Sequence, residues 1–177
     1  MLSSSQDKLF NTIGILRIAL GSIFLWSFFD KLFGLGFATC RDAATGTISP
    51  FCSDAWIQGA SPTAGFLQFA TSGPLQSLFQ SMTGNFIVDW LFMLGLLLIG
   101  TALILGIGIT VATISGIVFM LSLWLSMLLP ENHPIVDEHI IYILSLITIF
   151  YANDHQQLGL GAWWNRQKIV QKYPLLR

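Results

Sequence analysis

Charge is what this sequence has least of. Of its 177 residues, 8 are Lys or Arg and 9 are Asp or Glu, which makes 10% charged. A soluble domain carries roughly a quarter. The shortage excludes an ordinary soluble globule, a disordered chain and a nucleic-acid binder with a basic face. Cysteine is scarce as well, with Cys40 and Cys52 alone. Of the three histidines, His133 and His139 are six residues apart across a proline-containing turn. No H-x3-H or C-x2-C spacing occurs, so no metal site is expected. There is no glycine-rich phosphate loop, serine nucleophile motif, internal repeat or low-complexity tract.

What the sequence has instead is apolar length. Hydrophobic residues make up 54% of it, and the 41 residues between Asp89 and Glu131 carry no charge. At about 1.5 Å per residue, one helix of that length would reach ~60 Å, twice a bilayer core. The chain is therefore expected to be an all-α integral membrane protein, a four-transmembrane-helix up-down bundle in a single domain. The spans read as about 11–33, 88–106, 109–129 and 135–152. The break near Gly106 and Gly108 and the stop at Pro130 follow from helix propensity. The first span is read as a retained helix: it is too long for a signal peptide, contains Arg17 and lacks a small-x-small cleavage site.

Four spans put both termini on one side. Lys8, Arg166, Lys168, Lys172 and Arg177 then share that side. Arg41 lies opposite, with Lys31 at its edge. The positive-inside rule makes residues 153–177 a cytoplasmic basic tail of a plasma-membrane protein, anchored by Trp163 and Trp164.

Residues 34–84 form a long outer segment, more than a plain connection needs. Ser72-Gly73-Pro74 reads as a helix start. Leu75, Leu78, Phe79 and Met82 follow at helical spacing, as in a short amphipathic helix at the interface. That helix either packs on the bundle or forms a lid over a lateral lipid or quinone entrance. Cys40 and Cys52 face an oxidising compartment on this topology, and a disulfide is expected. It reads as a loop staple or, alternatively, a redox-active pair, although C-x11-C is not C-x-x-C.

Ionisable residues at membrane depth are candidates for function. Arg17 lies about two turns into the first span, on roughly the same face as Lys31, with Gly21 between them allowing close helix approach. Arg17 reads as a member of a buried structural pair, a snorkelling residue or a catalytic one. Asp30 and Lys31, Asp89, Glu131 and His133, and Asp137, Glu138 and His139 all fall at the outer ends of spans, with Tyr142 one turn further. Such a set can hold a polar head group and move protons. Equally, Asp89 and Glu138 can be acids suited to helix N-termini. Lys31 is expected to neutralise Asp89 or Asp137.

These residues also carry a resemblance. Arg17-x3-Gly21-x2-Phe24 and Asp30-Lys31-Leu32-Phe33-Gly34 resemble the first helix of DoxX-type membrane proteins. Ser61-Pro62-Thr63-Ala64-Gly65-Phe66-Leu67, Val88-Asp89-Trp90, the Gly95/Gly100/Gly106 series and Pro130-Glu131-Asn132-His133-Pro134 are similar to that family. So are Asp137-x-His139 and Leu158-Gly159-x-Gly161-x-Trp163-Trp164. Residues 39–53, with both cysteines, look like an insertion.

The resemblance implies a four-helix membrane bundle and kinship with the small, DoxD-type subunit of thiosulfate:quinone oxidoreductase. On that basis the expected function is transfer of electrons from a small sulfur compound to membrane quinone. Quinone is then a co-substrate, and no cofactor is covalently bound. Lys31, Asp137 and His139 are the catalytic candidates. Arg17, Asp89, Trp90, Glu138 and Tyr142 are the candidates for binding substrate or quinone. The expected partners are the lipid bilayer, a second membrane or soluble oxidoreductase subunit, and a further copy of the chain. The alternative is a non-catalytic membrane anchor or assembly partner of a redox complex. A permease is a third reading, with no broken helix or inverted repeat to support it.

Overall fold

A computed structural model describes residues 4–130, 133–155 and 158–177. Those residues are mostly helical and contain no β-strand; the only bridges among them are isolated, Arg41 with Ile48 and Ser72 with Met127.

Three helices are long and apolar enough to cross a membrane: α1 (Ser4–Phe33), α3 (Phe86–Leu105) and α4 (Ile109–Ser126). Between α1 and α3 lies the short α2 (Gln76–Gln80). Their lengths of 30, 20 and 18 residues correspond to about 45, 30 and 27 Å. The apolar stretch after α4 forms α5 (Glu138–Tyr151), 14 residues and about 21 Å long. The tail adds α6 (Gly161–Trp164) and α7 (Lys168–Lys172). In each of the three long helices only 33% of the apolar window is buried. The remaining apolar surface matches lipid rather than water.

Local chemistry sets the helix ends. Asn85 accepts the Ile87 N–H at 2.9 Å and so caps α3. Asp137 caps α5, accepting from the N–H groups of His139 and Ile140. At the end of α1, Gly34 has φ +66°, and the N–H groups of Gly34 and Leu35 both bond to the Asp30 carbonyl, at 2.7 and 3.3 Å. A left-handed glycine is the usual way to close a helix like this. A side chain at Gly34 would also collide with the Cys40 sulfur.

The described residues group into two compact units. The first comprises Met1–Ile23, Leu98–Trp124 and Val136–Arg177. Its fully buried side chains include Leu103, Ile109, Leu146, Ile149 and Val170. Here α1 and α3 touch through Gly21, where an added Cβ would lie 2.9 Å from Leu103 Cβ and 3.0 Å from the Gly100 carbonyl oxygen. The tail folds onto this unit, with the Trp164 indole donating to the Leu176 carbonyl at 2.5 Å and the Thr110 N–H to that of Arg177 at 2.8 Å.

The second unit comprises Phe24–Leu97 and Leu125–Ile135. Phe24, Met93, Leu96, Ala55 and Leu67 are buried in it. The long segment runs through a Cys40–Cys52 disulfide, a short 3-10 turn at Trp56–Gln58 and a π-helical turn at Phe66–Ala70 before reaching α2. Where an amphipathic helix is expected from Ser72-Gly73-Pro74, the chain forms α2, which begins at Gln76, is five residues long and has no buried residue.

Candidate functional site

The second unit contains a cavity of about 670 Å³. Lys31, at the end of α1, lines it together with Cys40 and Arg41 of the disulfide loop, and Asp54 follows shortly after Cys52. The 60–70 stretch supplies an apolar side with Pro62, Ala64, Phe66 and Ala70. Two cations and one carboxylate therefore share a wall that is polar and apolar in nearly equal measure. The Lys31 ammonium also lies 5.9 Å from the centre of the Phe92 ring, a cation–π distance.

The geometry depends on Asp89 and Asp30, both buried. Asp89 accepts from the Ser61 hydroxyl at 2.8 Å and the Thr63 hydroxyl at 2.5 Å. That ties the 60–70 stretch to the first turn of α3. Beside it, Trp90 packs edge-on against Trp56 at 4.9 Å and contacts Phe86 at 5.8 Å. Asp30 accepts the N–H groups of Phe37 and Ala38, each at 2.9 Å, and so fixes the chain leaving α1. The expected neutralisation by Lys31 is found for neither Asp89 nor Asp137: among the described residues the one contact between a carboxylate and a basic side chain at ion-pair distance is Asp137 with His139. Two hydroxyl donors on Oδ1 stand in place of the expected cation at Asp89.

The disulfide loop has its own support. Asp42 accepts from the Thr45 N–H at 2.7 Å, the Thr45 hydroxyl at 2.9 Å and the Ala44 N–H at 2.9 Å. Those donors, led by the Thr45 N–H, hold its carboxyl below the usual carboxylate range. The Asp54 N–H donates to Cys52 Sγ at 3.3 Å.

The remaining candidates belong to the first unit. Arg17 is 1% exposed, and its guanidinium donates to the carbonyls of Leu103, Ile104 and Leu158. The first two are orphan acceptors of the last turn of α3, where the helix dipole also favours a cation. Arg17 therefore closes α3 and holds the chain at Leu158; its partners are backbone carbonyls rather than the acidic partner of a buried pair. Asp137 caps α5 with one oxygen and meets His139 Nδ1 at 2.8 Å with the other. Glu138 is exposed and Tyr142 half-buried. Asp137, Glu138 and His139 offer ligand atoms within 4.8 Å of one another. Helix capping and the ring contact already account for the Asp137 oxygens without an ion. Glu131 lies outside the described residues.

Sequence reasoning used Arg41 only to orient the chain and overlooked Asp30 and Ser61 as scaffold. A signal for Arg41 was available: it is the one cation in the long segment and adjoins Cys40. Comparison with known protein families, with curated proteins and with solved structures returns no match.

Proposed function

We propose that the protein is a four-span, DoxX-like membrane protein with both termini in the cytoplasm, and that it passes electrons from a small sulfur compound to membrane quinone. In this reading α5 is the fourth span, and the 34–84 segment forms a cap on the outer side. The observation that carries the proposal is the cavity with Lys31 and Arg41 in its wall. A small anionic sulfur compound needs cations in a partly enclosed space, where attraction is stronger than in water.

Quinone reduction takes up two electrons and two protons. Asp137 with His139, in hydrogen-bond contact at 2.8 Å, is suited to pass protons. Trp90, Glu138 and Tyr142 keep the binding roles that the resemblance implies, Arg17 serves by closing α3 rather than by binding, and Asp89 acts through the segment it holds.

The test is thiosulfate-dependent reduction of a soluble quinone analogue by the purified protein in lipid nanodiscs. Turnover that falls steeply in Lys31→Met supports the proposal. Absence of turnover in the wild type sinks it as a property of the chain alone. The alternative, an anchor or assembly partner, draws on the exposed apolar residues of the tail: Trp163, Ile169, Tyr173 and Leu175 are 56%, 54%, 52% and 61% exposed. Co-purification with a soluble oxidoreductase that is lost on truncating the tail favours it.

A further inference from the structure

We infer that the cavity of the second unit is a binding site for a small organic anion with an apolar body, rather than for a bare inorganic anion, and that Arg41 is its specificity-determining residue. The inference rests on the proposed function only in treating this cavity as the substrate site, and it narrows the small sulfur compound to an organic one, with thiosulfate a weaker ligand.

The first argument is size. A water molecule takes about 30 Å³ of the liquid, so a five-atom oxyanion such as thiosulfate takes no more than roughly 150 Å³. The cavity of about 670 Å³ is several times larger. It lies within the ~300–1,000 Å³ range of pockets that enclose organic ligands. An inorganic ion alone would leave most of it to water.

The second argument is how the wall is divided. The charged groups Lys31, Arg41 and Asp54 come from the end of α1 and the disulfide loop. The opposite chemistry, Pro62, Ala64, Phe66 and Ala70, comes from the 60–70 stretch. The charge is thus confined to one set of elements, which also carries Ala38 and Thr39, while the 60–70 stretch is uncharged and apolar apart from Ser61. A ligand with an anionic head and an apolar body satisfies both, whereas a neutral apolar molecule leaves two cations without a partner.

The third argument concerns Arg41. Its guanidinium presents a planar fork of donors that matches carboxylates and sulfonates. The loop that carries it is fixed at several points. Cys40 is bonded to Cys52, Arg41 bridges Ile48, and Asp42 is held by Thr45 and Ala44. The backbone under Arg41 therefore needs little ordering on binding, and only its exposed side chain has to be ordered by the ligand. Asp54 opposes the anion, so its charge lowers affinity and its removal should raise it.

The experiment uses the full chain in nanodiscs of phosphatidylcholine alone, which keeps anionic lipid headgroups out of the measurement. Calorimetry compares benzenesulfonate, its neutral relative benzenesulfonamide, and thiosulfate, with no quinone present. Benzenesulfonate is expected to bind more tightly than either of the others. Lys31→Met and Arg41→Gln should each weaken it by about tenfold, the effect of losing one charge-assisted contact. Asp54→Asn should strengthen it several-fold, and the exposed tail variant Arg166→Gln should leave it unchanged. The opposite signs at Arg41 and Asp54 cannot both come from misfolding.

Equal binding of the neutral relative, tighter binding of thiosulfate, or no effect of Arg41→Gln overturns the inference. Quinone reduction is assayed separately. Organic-anion binding without turnover leaves the site standing and sinks the redox function, while turnover without such binding does the reverse.

Discussion

The Arg17 guanidinium donates to the carbonyl of Leu103, 86 residues further along the chain, and to that of Leu158 at 2.6 Å. A cation in the middle of an apolar helix is thereby turned into the closing group of another helix. The carbonyls at the end of α3 have no intrahelical partner, and lipid offers none.

Arg17→Met should therefore destabilise the protein by about 2–4 kcal/mol, because several carbonyl acceptors lose their donor together. Arg17→Lys should recover only part of this, since an ammonium lacks the planar fork. Unfolding by added denaturing detergent, followed by circular dichroism, measures both. Wild-type stability in Arg17→Met would show that the carbonyls find other donors.

Asp89 makes a different kind of connection. Asp89→Ala removes the acceptor for the Ser61 and Thr63 hydroxyls and should cost about 2 kcal/mol. The damage should be local, with faster proteolysis within residues 60–70 and little change in the helices. Asp89→Asn keeps one carbonyl acceptor and should fall between. Uniform loss of helix in Asp89→Ala would contradict this picture.

The sequence revealed the helices because lipid imposes long apolar runs that glycine and proline interrupt. It placed their ends less well, because hydropathy marks lipid crossing while hydrogen bonds decide where helix stops. Thus α1 begins at Ser4, well before the apolar run expected from residue 11. Likewise α4 stops at Ser126 rather than at 129, before Pro130 is reached. The chain there leaves the helix to pair with Ser72, whose N–H donates to the Ser126 carbonyl at 2.9 Å. No local pattern around Ser126 announces a partner so distant. The cavity was illegible for the same reason: Lys31, Arg41, Asp54 and Phe66 meet only after the disulfide and the Asp89 contacts have folded the segment. The pairing of Cys40 with Cys52 was legible, since there are no other cysteines to pair with.

That disulfide should protect both thiols. In the intact, unreduced protein neither Cys40 nor Cys52 should react with maleimide, and both should react after reduction. The double variant Cys40→Ser with Cys52→Ser should lose about 3 kcal/mol if the reduced loop is flexible. Full labelling without reductant would remove the staple.

The Asp42 turn should respond to acid. Its carboxyl is held below the ordinary range by the Thr45 N–H, then by the Thr45 hydroxyl and the Ala44 N–H. A group depressed in the folded state contributes stability above its unfolded pKa and loses it as the pH falls through the lower folded value. The amide resonances of Ala44 and Thr45 should thus hold their native shifts at neutral pH and move only below the usual carboxylate range. Asp42→Asn should abolish that transition, and a midpoint at or above the ordinary carboxylate value would be the wrong sign.

Asp137 has two jobs that a single substitution can separate. One oxygen caps α5 through the N–H groups of His139 and Ile140, and the other meets His139 Nδ1 at 2.8 Å. Asn is as good an N-cap as Asp, whereas Ala is not and costs about 1 kcal/mol. Asp137→Asn should therefore keep the stability of α5, while Asp137→Ala should lower it by about that amount. The carboxylate charge beside the imidazole is lost in both. If Asp137 with His139 passes protons to quinone, both variants should lower turnover by about a hundredfold, the usual scale of acid–base catalysis. If Asp137 is a cap alone, Asp137→Asn should turn over like the wild type and only Asp137→Ala should be impaired, in step with its stability. Measuring both variants for unfolding and for quinone reduction decides between the two, and wild-type turnover in Asp137→Asn removes the residue from the proton path.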